Sequence, residues 1–339
     1  MDPISQGVVG AIVAHAVLGR RLPRAAAVVG GLAAMSPDLD VLIPSFGDPT
    51  AGWVWHRGPT HSVVAVPVLG VLCGLIFLAL PTLRQKSLDV VAAATVGVAT
   101  HAPLDVLTSY GTQYLWPLSD ARPALDWMPI IDPIFTLTLL TLVVVAALFK
   151  SRRTSVVAVA LMASCVGFGA WQHNRAVAAV EAIAAARGHD ASKVRAMPSP
   201  TALSLWRGVY VHDGQIYADG VFVPYVGSIR VRPGESRPLA EPFGQPGSEA
   251  RRHFDVFAWF ADGYVHPTDP SDPTRVGDGR YSGDAAGFAP LWGLSVDGAG
   301  TVTRTSGTRD LDPGDLVAQL LGRDDRYVPL ADLTQKPTR

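Results

Sequence analysis

Three short stretches of this 339-residue chain carry side chains able to hold a metal ion: Pro37-Asp38-Leu39-Asp40, His56-Arg57-Gly58-Pro59-Thr60-His61-Ser62 and His101-Ala102-Pro103-Leu104-Asp105. They put three histidines and three aspartates at the ends of apolar segments, where unpaired ionisable groups are expensive and call for a compensating charge. A bound metal is the simplest compensation. His101 and Asp105 are four apart, so a helix continuing to Asp105 sets both on one face, within reach of one ion. Pro103 argues against that continuation, and a lone His-x-x-x-Asp serves equally as a structural hydrogen bond. His56 and His61 flank a Gly58-Pro59 turn that folds both imidazoles onto one ion or gives each its own, with Thr60 free to cap the next helix. The plainer reading is a pair of interfacial histidines bonded to headgroups. Asp38 and Asp40 serve one cation if the backbone is extended and diverge if it is helical, and Pro37 favours the break. As caps or turn residues they need no ion.

Arg57 either neutralises an anionic substrate or snorkels to phosphate headgroups. Asp132, in Ile131-Asp132-Pro133, is a seventh candidate ligand; its competitor is the ordinary helix start of an Asp N-cap before proline. Asp126 is a weaker candidate still. His15 falls toward the far end of its helix and reads as structural.

The segments that must position these residues look like membrane. Residues 1–171 hold ten Lys/Arg, nine Asp and no Glu, half the charge density of the remainder. Apolar runs at 63–80, 130–149 and 155–171 approach the roughly 20 residues that cross a bilayer core. Shorter runs at 4–18, 25–35 and 88–99 would be buried or re-entrant helices if taken alone. Basic turns separate them in pairs: Arg20, Arg21 and Arg24; Arg84 and Lys86; Lys150, Arg152 and Arg153. Lys and Arg favour the cytoplasmic side, so the pattern predicts six spans with both termini outside. On that topology all the His/Asp clusters and Asp132 meet at the extracytoplasmic face. The first segment lacks a basic stretch followed by a cleavage site and reads as a retained helix.

Beyond residue 171 the character changes. Residues 172–200 read as an Ala-rich helix stopping at Gly188, then a Met197-Pro198-Ser199-Pro200 linker. Residues 201–339 read as a small, mostly β soluble domain, with short strands at 208–210, 215–217, 221–229 and 254–260 broken by Asp213-Gly214, Asp219-Gly220 and Asp262-Gly263. The fold class is therefore a polytopic, mainly α membrane bundle followed by a β-rich extracytoplasmic domain. Cys73 and Cys165 lie inside apolar runs and read as packing residues. The net charge of −1 comes without a basic stripe interleaved with aromatics, which argues against nucleic acid as a partner.

At these residues the chain resembles the membrane-bound, metal-dependent hydrolase family related to the inner-membrane protein YdjM. The resemblance rests on Met1-Asp2-Pro3, Pro37-Asp38-Leu39-Asp40, His56-Arg57-Gly58-x-Thr60-His61-Ser62, His101-x-x-Leu104-Asp105, Thr108-Ser109-Tyr110-Gly111-Thr112, Trp116-Pro117 and Ile131-Asp132-Pro133. Many relatives carry histidine where this chain has Gln6, a poor transition-metal ligand, so one ligand is absent or Gln6 acts through water. The family is similar in turn to zinc-dependent phospholipase C and related nucleases. That likeness implies a metal-activated water attacking a phosphoester or lipid headgroup. Asp38, Asp40, His56, His61, His101 and Asp105 would be ligands to zinc or manganese, with Asp132 beside them; Arg57 would stabilise transition-state charge. Gln6, Thr60 and Ser109 are taken as substrate contacts. Some relatives are described as binding the LexA repressor, which needs a cytoplasmic surface that this topology hardly provides. Two other readings stay open: a transporter, since intramembrane polar residues also mark ion pathways, and a non-catalytic, metal-stabilised scaffold.

Overall fold

The computed structural model describes residues 1–307, 313–320 and 322–334; the expected β domain at 201–339 therefore includes short stretches outside the described residues. The N-terminal half is helical. In chain order it holds α1 (Pro3–Leu18), α2 (Ala25–Ala34), a 3-10 segment (Ser36–Leu42), α3 (Ala51–Trp55), a 3-10 turn (Pro59–His61), α4 (Ala65–Phe77), α5 (Ser87–Val106), α6 (Pro133–Leu148) and α7 (Arg152–Ala186).

Each apolar stretch has become helix, but the expected count of six spans is not supported. Among the described residues, three helical stretches are long and apolar enough to cross a membrane: Ala25–Leu42, Pro81–Val106 and Arg152–Ala186. A fourth is added if Ala51–His61 and Ala65–Phe77, bent by 78°, make one broken span. α1 and α6 have 16 residues each; at 1.5 Å per residue that is about 24 Å, short of a hydrocarbon core of roughly 30 Å.

Glycines let three helices meet closely. A Cβ built on Gly10 of α1 falls 2.7 Å from the Gly30 carbonyl oxygen of α2, and one on Gly97 of α5 falls 2.8 Å from Gly30 Cα. Small residues at such crossings are how apolar helices gain contact where water offers no hydrophobic drive. This crossing fixes the ends of α2 and α5, from which Asp38, His101 and Asp105 project. Cys73 packs beside the α2–α5 core and Cys165 beside a second cluster around Ile12 and Leu139, both as free thiols.

The chain clusters into two compact units: residues 1–44 with 54–169, and residues 45–53 with those from Ala170 onward. The second unit is mostly β. One antiparallel sheet holds β1 (Ser192–Ser199), β2 (Ala202–His212), β3 (Gln215–Phe222), β4 (Arg230–Arg232) and β5 (Ser236–Pro238). After α8 (Glu249–Phe260) comes a second antiparallel sheet of β6 (Val265–Asp269), β7 (Asp272–Asp278), β8 (Trp292–Val296) and β9 (Val302–Ser306). The remaining elements are α9 (Pro313–Leu320), β10 (Val328–Pro329), which joins β4, and α10 (Leu330–Thr334).

Asp213-Gly214 makes the two-residue hairpin its sequence signals, with φ of 45° and 70° between paired His212 and Gln215. Gly188 ends the Ala-rich helix at φ 74°. Three expectations are corrected. The supposed linker is the end of β1, where Met197 pairs with Arg207 and Pro198 with Trp206. Residues 254–260 are helix: Ser248 caps the Arg251 N–H, and Phe254, Phe257 and Phe260 recur at helical spacing on the buried face. Asp219-Gly220 lies inside β3 because Asp219 is buried and receives both terminal nitrogens of Arg187, at 2.8 and 2.7 Å.

Candidate metal centre

Asp38, His61, His101 and Asp105 converge, with one donor atom from each lying within 4.8 Å of the others. α5 continues through Pro103 to Val106, and that continuation puts His101 and Asp105 on one buried face. The proline forfeits one helical hydrogen bond, the one to the Ala99 carbonyl, without ending the helix. Asp38 comes from the 3-10 segment after α2 and His61 from the turn before α4.

The tautomers follow from the partners behind each ring. His101 Nδ1 lies 2.6 Å from the Ala34 carbonyl oxygen, which only accepts, so Nδ1 carries the proton. His61 Nδ1 lies 3.2 Å from Asp40 Oδ2 and 3.1 Å from Thr60 Oγ1, whose own hydrogen goes to Asp40 at 2.9 Å. Both Nε2 atoms thus turn lone pairs inward, 2.9 Å apart. Asp38 Oδ1 is 3.4 and 3.5 Å from the two Nε2 atoms, and Asp105 Oδ2 is 3.3 and 3.4 Å from them. Asp105 Oδ2 is buried with no hydrogen-bond donor, whereas its Oδ1 receives Gln6 Nε2 at 2.9 Å, Arg57 at 3.1 Å and the Met1 amino group.

Four acceptors facing one another in a buried space repel, and a cation at their centre removes the repulsion. Zinc bound to nitrogen and oxygen at 2.0–2.2 Å in a tetrahedron needs ligand–ligand edges of about 3.3–3.6 Å. The four N–O edges fall in that range; the N–N edge is shorter. Two imidazoles and two carboxylates are a donor set such an ion takes, so the residues present fit it.

The remaining sequence candidates fall outside this ring. The 3-10 turn sends Asp38 and Asp40 in different directions, since two residues at three per turn are two-thirds of a turn apart. Pro37 did not keep the chain extended because proline is tolerated in a first helical turn. Asp40 stands behind the ring, 2.8 Å from His56 Nδ1 and accepting the Arg57 N–H at 3.1 Å. His56 bonds to Asp40 and packs against Tyr110. Asp132 caps α6 through the Phe135 N–H, its competing reading. Gln6 also donates to the His101 carbonyl at 3.3 Å. Thr60 is committed to Asp40 and His61. Ser109 and Asp126 are buried. His15 bonds Ser155 and the Pro23 carbonyl, both at 2.8 Å, a structural role as expected.

Arg57 holds a left-handed backbone at φ 59°, which costs a non-glycine residue energy and recurs at functional sites. It is fixed by Asp40 on its N–H, by Gln113 donating to its carbonyl at 2.9 Å, and by its side chain on Thr108, Asp105 and the Tyr110 ring. The Ala34 carbonyl behind His101 and the Met1 amino group on Asp105 carry no residue-type signal, so neither support is legible in the sequence.

Helices of membrane-crossing length and a buried His/Asp centre fit the class of membrane proteins with a candidate metal site. Residues 1–176 match the family described as YdjM inner membrane protein, and the chain belongs to that family. It is similar to Inner membrane protein YbcI of Escherichia coli (strain K12), 36% identical over 103 residues that make up 30% of this chain and 58% of that protein. The chain thus covers less than two thirds of that relative's length. No solved structure matches it.

Proposed function

We propose that the protein is a membrane-bound metal-dependent hydrolase acting on a phosphoester, with Asp38, His61, His101 and Asp105 holding zinc or manganese. The observation that carries this reading is the convergence of two imidazole lone pairs with the donor-free oxygen of Asp105. A divalent ion there supplies Lewis acidity toward a phosphoryl oxygen and makes water acidic enough to serve as nucleophile near neutral pH. The chain's own residues supply positioning. Asp40 and Thr60 orient the His61 ring, the Ala34 carbonyl orients His101, and Gln6 holds Asp105. Arg57 lies against Asp105 and is placed to stabilise negative charge on phosphoryl oxygens.

We assign the site to the extracytoplasmic side. The basic turns, Arg20/Arg21/Arg24 and Arg84/Lys86, precede α2 and α5, while the ligands follow α2 or lie at the end of α5. Lys and Arg mark the cytoplasmic ends.

The test is turnover of a chromogenic phosphodiester by the purified full chain with zinc or manganese, beside His61→Ala and His101→Ala. Metal-dependent turnover lost in both variants is expected. Stoichiometric metal without turnover of any phosphoester would leave a metal-stabilised scaffold.

A further inference from the structure

Buried polar atoms without a hydrogen-bond partner gather on the segments that build the metal centre: Gln6 Oε1, Ser36 Oγ, Arg57 Nε, Asp105 Oδ2 and Thr112 Oγ1. Such atoms are costly when buried, and a ligand that supplies partners to them relieves that cost. Arg57 Nε is a donor awaiting an acceptor oxygen beside a cation-binding group, which suits a phosphate.

The rim of the same site is apolar. Along the 3-10 segment the carboxylates of Asp38 and Asp40 turn to the histidines, whereas Leu39, Val41 and Leu42 are 61–72% exposed. Trp55 immediately precedes His56 and is exposed. Trp116 and Leu118 are exposed on the strip that is laced to the His61 turn through Gln113 to Arg57 and Val63 to Tyr114. These segments are bound to one another through the site: Asp40 receives His56 and Arg57, and Arg57 receives Gln113. A pocket for a free, water-borne phosphate would be rimmed by polar side chains. Exposed leucines and tryptophans beside a polar centre belong at the depth where headgroups meet acyl chains.

We propose, on the footing of the metal-site reading, that the occupant of this site is the phosphate headgroup of a membrane phospholipid. It enters laterally, with its acyl chains on Leu39, Val41, Leu42, Trp55, Trp116 and Leu118. Arg57 Nε–H donates to a phosphate oxygen, an ion held by Asp38, His61, His101 and Asp105 would take another, and the apolar rim receives the tails.

Manganese(II) provides the test, because pulsed electron–nuclear double resonance detects phosphorus close to the ion. The full chain is loaded with manganese in three preparations: nanodiscs of phosphatidylglycerol and phosphatidylcholine, a phosphorus-free maltoside detergent, and that detergent with inorganic phosphate. Phosphorus coupling in the nanodiscs without added phosphate is expected, with none in detergent alone. Leu42→Gln combined with Leu118→Gln should at least halve the nanodisc coupling and leave the ion bound. Coupling only with inorganic phosphate would overturn the proposal in favour of a soluble phosphate, and coupling indifferent to the rim variant would overturn the role of the rim. Absence of His61-dependent manganese would instead bring down the metal reading itself. Should the rim variant fold poorly, the comparison of nanodisc with detergent decides on the wild-type chain.

Discussion

Asp40→Asn separates a group that binds the ion from one that orients a ligand. Asp40 accepts four contacts: His56 on Oδ1, and Arg57 N–H, Thr60 and His61 on Oδ2. An asparagine that keeps its oxygen at the Oδ2 position retains Arg57, Thr60 and His61 and turns its amide toward His56, whose ring changes tautomer to accept. What is lost is the negative charge behind His61, which raises the basicity of Nε2. Loss of such a supporting partner weakens metal binding by about 10–100-fold, or roughly 1.4–2.8 kcal/mol. Asp105→Ala removes a converging oxygen and should abolish stoichiometric binding. The assay is competition against a zinc-chelating fluorophore in detergent, with wild type, Asp40→Asn and Asp105→Ala measured together. Complete loss of metal in Asp40→Asn would make Asp40 a direct ligand, and unchanged affinity would remove its orienting role; either refutes the layering derived above.

Three further outcomes follow from the packing. Gly97→Val places side-chain atoms against the Gly30 backbone, where even a Cβ falls 2.8 Å from Gly30 Cα. It should cost at least about 1–3 kcal/mol, read as a fall in the folded, monodisperse fraction in detergent, with Gly97→Ala milder. Asp219→Ala strips the buried partner from Arg187 and should destabilise the β-rich unit by about 3 kcal/mol, read as earlier loss of its near-ultraviolet circular dichroism on heating. His266 in the same unit is buried, and that burial, with Arg207 and Arg237 nearby, pushes its pKa down to about 4. The unfolded chain therefore takes up a proton at higher pH than the folded one. The contribution of His266 is intact above about pH 6.5 and lost as pH falls toward 4, by roughly 3 kcal/mol in all. Full-chain melts of His266→Gln should be flatter across that window than those of wild type, and parallel curves would refute the assignment.

Residue types and local spacing made the four converging residues legible, Asp38, His61, His101 and Asp105 all being among the candidates read from them. His101 and Asp105 were readable because four residues is about one helical turn, and α5 continues through Pro103. The order of the layers was not readable. Whether Asp40 and His56 touch an ion or stand behind one depends on the pitch of a seven-residue 3-10 segment, which Pro37 suggested would be extended. Asp132 carried two signals at once, and the capping geometry is the one observed. Apolar composition marked α1, α2, α4, α5, α6 and the first part of α7, but α1 and α6 are shorter than a bilayer core, and composition does not count spans. In the β-rich unit Asp213-Gly214 spoke correctly because its turn is local. Asp219-Gly220 misled because the long-range pairing of Asp219 with Arg187 overrides the local preference for a turn. Residues 254–260 misled because four aromatics in seven residues favour a strand by type, while their spacing and the Ser248 cap favour a helix.

The proposed function requires that Asp38, His61, His101 and Asp105 hold one divalent ion. It is tested most directly by elemental mass spectrometry on the detergent-purified full chain, with His61→Ala and His101→Ala alongside. Zinc or manganese at about one ion per chain is expected in wild type, lost in both variants while each stays folded. Wild-type protein that takes up no stoichiometric metal even when zinc and manganese are supplied would contradict it.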